Sequence, residues 1–136
     1  MKKPYIVAGI GELLWDVLPR GKQLGGAPCN FAFHALQSGL ESHVISAIGQ
    51  DKDGDEILQV LDKLGLTTAL VQTKSDYPTG TVTVTLDKAG IPDYTIHENV
   101  AWDYIEQNVK LNAFAKEVDA ICFGSLDAQW WNRCLH

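Results

Sequence analysis

The sequence lacks the excess of basic residues by which proteins bind nucleic acid. Of its 136 residues, 11 are Lys or Arg and 17 are Asp or Glu, so the formal net charge at pH 7 is −6. A protein that neutralises a phosphate backbone needs a stripe of positive charge, and the sequence has none. The composition therefore argues against DNA or RNA as a partner.

Long apolar runs and paired cysteines are also missing. The first apolar run, residues 5–10, is broken by glycine and followed by Glu12, so it is too short for a signal-peptide core or a membrane span. The three cysteines, Cys29, Cys122 and Cys134, lie far apart and form no Cys-x-x-Cys pair. We therefore expect free thiols and a cytoplasmic protein that does not bind a membrane.

A metal-binding motif is absent as well. Asp51, Asp53 and Asp55 alternate as in a calcium loop, but the twelfth position of that loop is Asp62 instead of Glu, and Gly54 comes two places early. We therefore interpret this stretch as a polar turn with a possible helix cap, and we predict no metal site.

What is present is an alternation of apolar strands and amphipathic helices. Residues 5–10 and 44–49 are apolar almost throughout, which is typical of strands buried on both faces of a parallel sheet. A helix is predicted between them at residues 28–40. This order predicts the right-handed parallel unit of a single α/β domain. The other predicted elements are a strand at 13–18, a helix at 56–64, a strand at 69–72, helical material at 102–115 with Val109, Leu111 and Phe114 as candidate core contacts, and a buried strand at 118–125.

The period changes at residues 81–86, where threonine alternates with apolar residues. A turn at residues 87–90 leads to a second strand at residues 94–97, which predicts a hairpin with one solvent-exposed face. Such an antiparallel pair among buried parallel strands favours a small separate sheet. That sheet either covers something or pairs with another subunit.

A double glycine stands before the first helix. Gly25 and Gly26 allow positive φ and close approach of the backbone to a ligand, and Pro28 suits the first turn of a helix. The N–H groups at this helix start can bind a sugar or an anion, and Asn30 offers both a donor and an acceptor. The alternative is a capped helix after a tight turn, with no ligand.

Two further features precede this turn. Gly9 and Gly11 begin like the dinucleotide-binding pattern Gly-x-Gly-x-x-Gly, but Leu14 occupies the third position, so we reject a Rossmann nucleotide site. Asp16 is a carboxylate among apolar neighbours. Because burying an unpaired charge is costly, this side chain either reaches solvent or is held for a function, and the sequence leaves both interpretations open.

These glycines belong to a longer set of spaced motifs. The main one is Gly25-Gly26-Ala27-Pro28-x-Asn30-x-Ala32, followed by Gly39 and Gly49. The others are Gly11-Glu12-x-x-x-Asp16, Gly49-x-Asp51-x-x-Gly54, Thr79-Gly80-Thr81 and Phe123-Gly124-Ser125-Leu126. Together they resemble the PfkB (ribokinase-like) family of carbohydrate kinases, and most closely its bacterial fructokinase branch.

The resemblance implies a fold and a site. The fold is a ribokinase-like three-layer α/β/α sandwich with a small β lid, incomplete at the C-terminus. Residues 1–126 are then the N-terminal part of the kinase domain, with lid strands at about 13–24 and 80–97, and residues 127–136 are an atypical tail. Carried over by position, the residues that bind the sugar are Asp16, Gly25, Gly26 and Asn30. Family members phosphorylate a sugar hydroxyl with ATP and magnesium, and fructose is the substrate that the resemblance favours here.

The second half of the family's sequence has no match in this chain. The Gly-Ala-Gly-Asp segment that carries the family's catalytic aspartate does not occur, and neither does another glycine-rich phosphate loop. We therefore expect no catalytic residue and no ATP site in this chain. We hypothesise that it is the N-terminal half of a fructokinase-like enzyme, shortened by deliberate truncation, frameshift or gene damage.

Two alternatives stay open. One is a non-catalytic domain that forms a homodimer through its β lid. The other is a kinase for a different substrate, such as ribose, a keto-deoxy sugar acid or a nucleoside.

Overall fold

The computed structural model describes residues 2–124 and arranges their strands in two sheets. In chain order the strands are β1 (Ile6–Ile10), β2 (Leu14–Leu18), β3 (Gly21–Gly25), β4 (Glu41–Gly49), β5 (Val71–Lys74), β6 (Gly80–Leu86), β7 (Pro92–Ile96) and β8 (Ala120–Phe123). The helices are α1 (Ala27–Gln37), α2 (Lys52–Lys63) and α3 (Val109–Ala115), and a short 3-10 helix covers Ala101–Tyr104. None of the helices in this part of the chain is long and apolar enough to cross a membrane. The tail predicted at residues 127–136 lies outside the described residues.

The larger sheet is parallel, with strand order β5-β4-β1-β8, and helices cover both of its faces. On one face Leu61 of α2 packs in a core with Val44 of β4, and α1 contributes to the same core. On the other face Phe114 of α3 packs with Ile6 and Ile45. Successive residues of β4 thus enter opposite cores, as expected for a strand buried on both faces. The predicted α/β class, with a parallel sheet between helix layers, is confirmed.

The smaller sheet, which we call the lid sheet, contains β3, β2, β6 and β7 in that order. β2 runs parallel to β6, and the two outer pairs are antiparallel. The alternating pattern of β6 places Val82 and Val84 beside Leu14 in a small core of its own. Every residue of β7 is exposed, so the hairpin of β6 and β7 presents one face and one outer edge to solvent.

Two helix boundaries differ from those predicted. α1 ends at Gln37 instead of Leu40. α2 begins at Lys52 instead of Glu56, because the side chain of Asp51 caps the helix by accepting a hydrogen bond within its first turn.

Residues 102–115, predicted as helical material, form two separate helices. The chain leaves the 3-10 helix and runs past the amide of Gln72, which donates to the main-chain oxygen of Glu106 (2.6 Å) and accepts from its N–H (2.9 Å). This pairing holds the segment extended until α3 begins. The prediction that Val109 lies in the core is wrong, since its side chain is 86% exposed, whereas Phe114 is buried as predicted.

The edge strands of the larger sheet also differ from expectation. The strand predicted at residues 69–72 is shifted to Val71–Lys74. β8 is not buried, and Ile121 is 47% exposed, because among the described residues β8 has a strand neighbour on one side only.

Candidate functional site

The double-glycine turn joins β3 to α1. Gly26 directly precedes the helix and has a φ of +114°, which glycine adopts without strain. No side chain caps α1, and Pro28 lies in its first turn. The N–H groups of this turn therefore have no side-chain capping partner and are available to an oxygen-rich ligand.

The turn packs tightly against the end of β1. A Cβ atom on Gly9 would collide with the main-chain oxygen of Pro28, and a Cβ atom on Gly26 would collide with the main-chain oxygen of Glu12. Both positions therefore need glycine for α1 to approach the sheet so closely. The helix start is held at the carboxyl end of a central strand, where α/β proteins commonly bind ligands.

Asp16 of β2 faces the first glycine of the turn. A Cβ atom on Gly25 would collide with Oδ2 of Asp16. Partial burial raises the pKa of Asp16 above its usual value, because desolvation disfavours the charged carboxylate. Within residues 2–124 no basic side chain forms an ion pair with it. The structure therefore places this carboxylate against the turn instead of in open solvent.

Asn30 lies on the first helical turn, where its N–H donates to the main-chain oxygen of Gly26 (3.0 Å). Its side chain is exposed. The structure thus arranges the four predicted binding residues around one turn, with Asp16 on the side of the lid sheet and Asn30 on the side of the helix. Their contact with a sugar stays a prediction.

Glu12 is a feature of this region to which the sequence analysis gave no role. It follows β1 directly, and only 6% of the residue is exposed. Its carboxylate oxygens lie 3.4 and 3.5 Å from the Cβ position of Gly124, just after β8. The sequence did contain a signal for Glu12, namely a carboxylate between two apolar runs. Asp16 was noticed because of the same kind of signal.

The lid sheet is attached to the larger sheet through Asp51. Its Oδ1 accepts from the N–H of Gly54 (2.8 Å) and from the hydroxyl of Thr79 (2.6 Å), and its Oδ2 accepts from the N–H of Thr79 (2.9 Å). The Thr79 hydroxyl in turn accepts from the N–H of Gly49 (2.9 Å). Burial alone would raise the pKa of Asp51, but these hydrogen bonds outweigh it and lower the pKa below its usual value. The start of β6 is thereby fixed to the end of β4 and to α2.

A second attachment joins the hairpin of β2 and β3 to α2. The indole N–H of Trp15 donates to the main-chain oxygen of Asp53 (3.0 Å). Lys22 pairs with the carboxylates of Asp53 (2.7 Å) and Glu56, and its Nζ lies 4.6 Å from the Trp15 ring centroid. Together with Asp51, these contacts position the lid strand that carries Asp16.

The described residues do not fit a magnesium ion. Among them, no group of three His, Cys, Asp or Glu side chains could hold a metal ion. The oxygens of Asp51, the first residue of the calcium-like stretch, accept hydrogen bonds from the protein itself. The chemistry that this region can perform is therefore recognition of a ligand that both donates and accepts hydrogen bonds.

Comparison with known proteins places this chain in a family. Residues 12–136 match the model of the pfkB family of carbohydrate kinases. An uncharacterized sugar kinase from Pyrococcus horikoshii is 30% identical over 89% of this chain and 42% of its own length. The structure of that protein aligns with a TM-score of 0.80, and its complex with ATP aligns with a TM-score of 0.76.

Two other relatives are similar over a comparable stretch. The ATP-dependent 6-phosphofructokinase of Thermoanaerobacterium thermosaccharolyticum is 28% identical over 83% of this chain and 40% of its own length. The probable fructokinase-5 of Arabidopsis thaliana is 26% identical over 93% of this chain and 43% of its own length. The chain thus spans less than half the length of the curated relatives it matches.

Proposed function

Since the chain belongs to the pfkB family of carbohydrate kinases, we propose that it forms the sugar-binding part of a kinase that phosphorylates a sugar hydroxyl with ATP. The observation that carries this proposal is the Asp16 carboxylate, held against Gly25 beside an uncapped helix start. Sugar hydroxyls donate to a carboxylate in charge-assisted hydrogen bonds and accept from N–H groups and from the amide of Asn30. One neutral polyol can therefore donate to the Asp16 carboxylate and accept from the N–H groups of the turn and the amide of Asn30.

Fructose is the substrate that we propose. The fructokinase-5 relative supports it, as does Ala27, because ribokinases tend to carry Lys at the position that the resemblance assigns to this residue. Ribose, a keto-deoxy sugar acid and a nucleoside are the competing substrates. A site built around a hydrogen-bonding carboxylate strongly rejects a sugar that lacks the matching hydroxyl, since the carboxylate is then left unpaired.

The proposal includes ATP as phosphoryl donor and magnesium as its companion ion. A relative has been solved in complex with ATP. Residues 2–124 offer no group of three side chains that could hold a metal ion, and the sequence contains no glycine-rich phosphate loop of the family's kind. We therefore assign the nucleotide site and the catalytic base to the part of the kinase fold that these residues do not supply. We also propose a cytoplasmic location, which the unpaired thiols of Cys29 and Cys122 support.

Sugar binding is tested by thermal unfolding of the purified chain with a panel of sugars. A ligand that binds the folded state raises Tm by mass action, so fructose is expected to raise Tm of the wild type but not of Asp16→Asn. Asp76→Asn is the matched control, because it removes an exposed carboxylate from a loop away from the turn. The absence of a response to every sugar would contradict the proposed function.

Catalysis is tested by ATP-dependent phosphorylation of fructose by this chain alone. The expected result is no turnover above the rate without protein, because residues 2–124 provide no phosphate-binding loop and no metal ligands. Robust turnover would refute the assignment of the catalytic base and the nucleotide site to another part of the fold.

A second candidate function is self-association through the lid sheet. The outer strand β7 is exposed along its length, including Tyr94 (61%) and Ile96 (43%). An exposed edge strand with apolar side chains offers unpaired backbone groups to a second copy. Sedimentation at several concentrations, with and without fructose, separates the two candidates. Dimerisation together with no effect of sugar favours the non-catalytic alternative.

A further inference from the structure

The geometry points to Glu12 as a second carboxylate of the sugar site, one that accepts a sugar hydroxyl and selects neutral sugars over anionic ones. This inference rests on the proposed function and adds to it a substrate class. Its starting point is the burial of Glu12, which is 94% shielded from solvent by the rest of the chain. Its oxygens keep contact with solvent, because Nδ1 of His43 is the one fully buried polar side-chain atom without a hydrogen-bond partner among residues 2–124. A carboxylate in this position takes its hydrogen-bond donors from the protein, from water or from a ligand.

The protein does not supply those donors from the part of the chain that the structure describes. No side chain or main-chain group of residues 2–124 donates a hydrogen bond to the Glu12 carboxylate, and no Lys, Arg or His there forms an ion pair with it. Two other buried polar side chains do have partners: Ser42 donates to the main-chain oxygen of Ala32 (2.6 Å) and Ser46 to that of Gly11 (2.6 Å). Glu12 therefore differs from the satisfied polar groups of this core.

The position of Glu12 links it to the double-glycine turn. Its main-chain oxygen occupies the space that a Cβ atom of Gly26 would need, and its Cγ lies 3.5 Å from that same Cβ position. The side chain then extends toward Gly124, just beyond the carboxyl end of β8. The carboxylate thus lies between the turn and the carboxyl ends of two neighbouring parallel strands, the usual place for a ligand in such a sheet.

The chemistry of the surroundings selects the kind of ligand. A metal ion would require further ligands, and no group of three suitable side chains exists among the described residues. A hydroxyl group needs only one acceptor and brings no charge of its own. A neutral polyol therefore fits this carboxylate better than a cation does.

The same arrangement disfavours anionic sugars. Asp16 and Glu12 flank the turn from two sides, and neither is neutralised by an ion pair within residues 2–124. The nearby base Lys22 is already engaged by Asp53 and Glu56. The start of α1 attracts anions weakly, but two carboxylates repel a phosphate or a sugar carboxylate more strongly than one helix end attracts it.

The test compares Glu12→Gln with the wild type in calorimetric titrations against fructose and fructose 6-phosphate, with thermal unfolding of each unliganded protein. Loss of a charge-assisted hydrogen bond is expected to raise the Kd for fructose about tenfold or more. The ratio of the Kd for fructose 6-phosphate to the Kd for fructose is expected to fall, because one repelling charge has been removed. Tm without sugar is expected to stay equal or rise, because the amide is cheaper to bury than the charge. Glu117→Gln, which removes an exposed carboxylate just after the end of α3, is the matched control.

Several outcomes overturn the inference. If Glu12→Gln binds fructose with unchanged affinity and preference, Glu12 is not part of the site. If its Tm falls together with its affinity, Glu12 is a structural residue, and Glu12→Asp should then lower Tm as well. If the wild type binds no sugar at all, the proposed function itself fails and this inference fails with it. If the wild type binds fructose, the comparison with Glu12→Gln tests the role of Glu12 alone.

Discussion

At the residue scale, the contact between Gly25 and Asp16 determines the shape of the candidate site. Gly25→Ala places a methyl group where Oδ2 of Asp16 lies, and overpacking of this kind typically costs about 1–3 kcal/mol. Because the colliding atom belongs to Asp16, the double variant Asp16→Ala with Gly25→Ala is expected to recover part of that loss. Urea unfolding of both single variants and the double variant measures the coupling. Additive effects would show that the two residues do not constrain each other.

Asp51 gives a prediction about pH. Its pKa is lowered in the folded chain, so its contribution to stability is complete above the unfolded pKa and is lost as pH falls through the folded pKa. Asp51→Asn is expected to lose about 1–3 kcal/mol at neutral pH, since Thr79 and Gly54 lose a charged acceptor. The difference from wild type should shrink at acidic pH. Unfolding free energies measured from pH 7 down to about pH 3 test this. Asp55→Asn, which removes an exposed carboxylate of the same helical turn, is the matched control.

At the scale of elements, the hairpin of β2 and β3 depends on one buried and one exposed contact with α2. Trp15→Phe keeps most of the buried ring but removes the donor to Asp53, and we expect it to cost about 1 kcal/mol. Lys22→Met removes partly exposed ion pairs, which solvent screens, so we expect a smaller loss of stability than in Trp15→Phe. Hydrogen exchange of β2 and β3 is expected to quicken more in Trp15→Phe than in Lys22→Met. Equal exchange in the two variants would contradict this ranking.

The elements that the sequence predicted correctly are those fixed by local pattern. β1, α1 and β4 follow from continuous apolar runs and a helical period, and the alternation of residues 81–86 follows from a strand with one exposed face. The errors arise where a distant partner decides. The break before α3 involves the amide of Gln72, and no local period reports a contact between residues so far apart in the chain. It also involves Asn108, which caps α3 by accepting from the N–H of Leu111, a local signal that the sequence analysis did not use.

The candidate site shows the same division. The pattern of Gly25 and Gly26 indicated a turn that admits a ligand, with Asn30 as a donor and acceptor beside it. The sequence left Asp16 open between solvent and function, and the resemblance to a family assigned both side chains to the sugar. That Asp16 lies against Gly25 follows from the antiparallel pairing of β2 with β3. Glu12 was quoted only as a letter in a motif, because its burial depends on α1 and β8 approaching β1 from both sides.

At the scale of the whole molecule, one of the two edge strands of each sheet exposes large apolar side chains among the described residues. The lid sheet ends at β7, with Ile96 43% exposed, and the larger sheet ends at β8, with Ile121 47% exposed. An exposed edge with apolar side chains can pair with a second chain, and a lysine on that edge opposes such pairing. The two edges therefore make different predictions about self-association.

If the lid sheet mediates association, Ile96→Lys should shift the chain toward monomer, whereas Ile121→Lys should leave the distribution unchanged. Both substitutions add the same charge at similarly exposed positions, so each serves as the control for the other. Sedimentation velocity at several concentrations measures the distribution, and fructose binding by Ile96→Lys tests whether the sugar site remains intact. A shift toward monomer in Ile121→Lys alone would assign the association to the larger sheet, because its last described strand has only β1 as a neighbour.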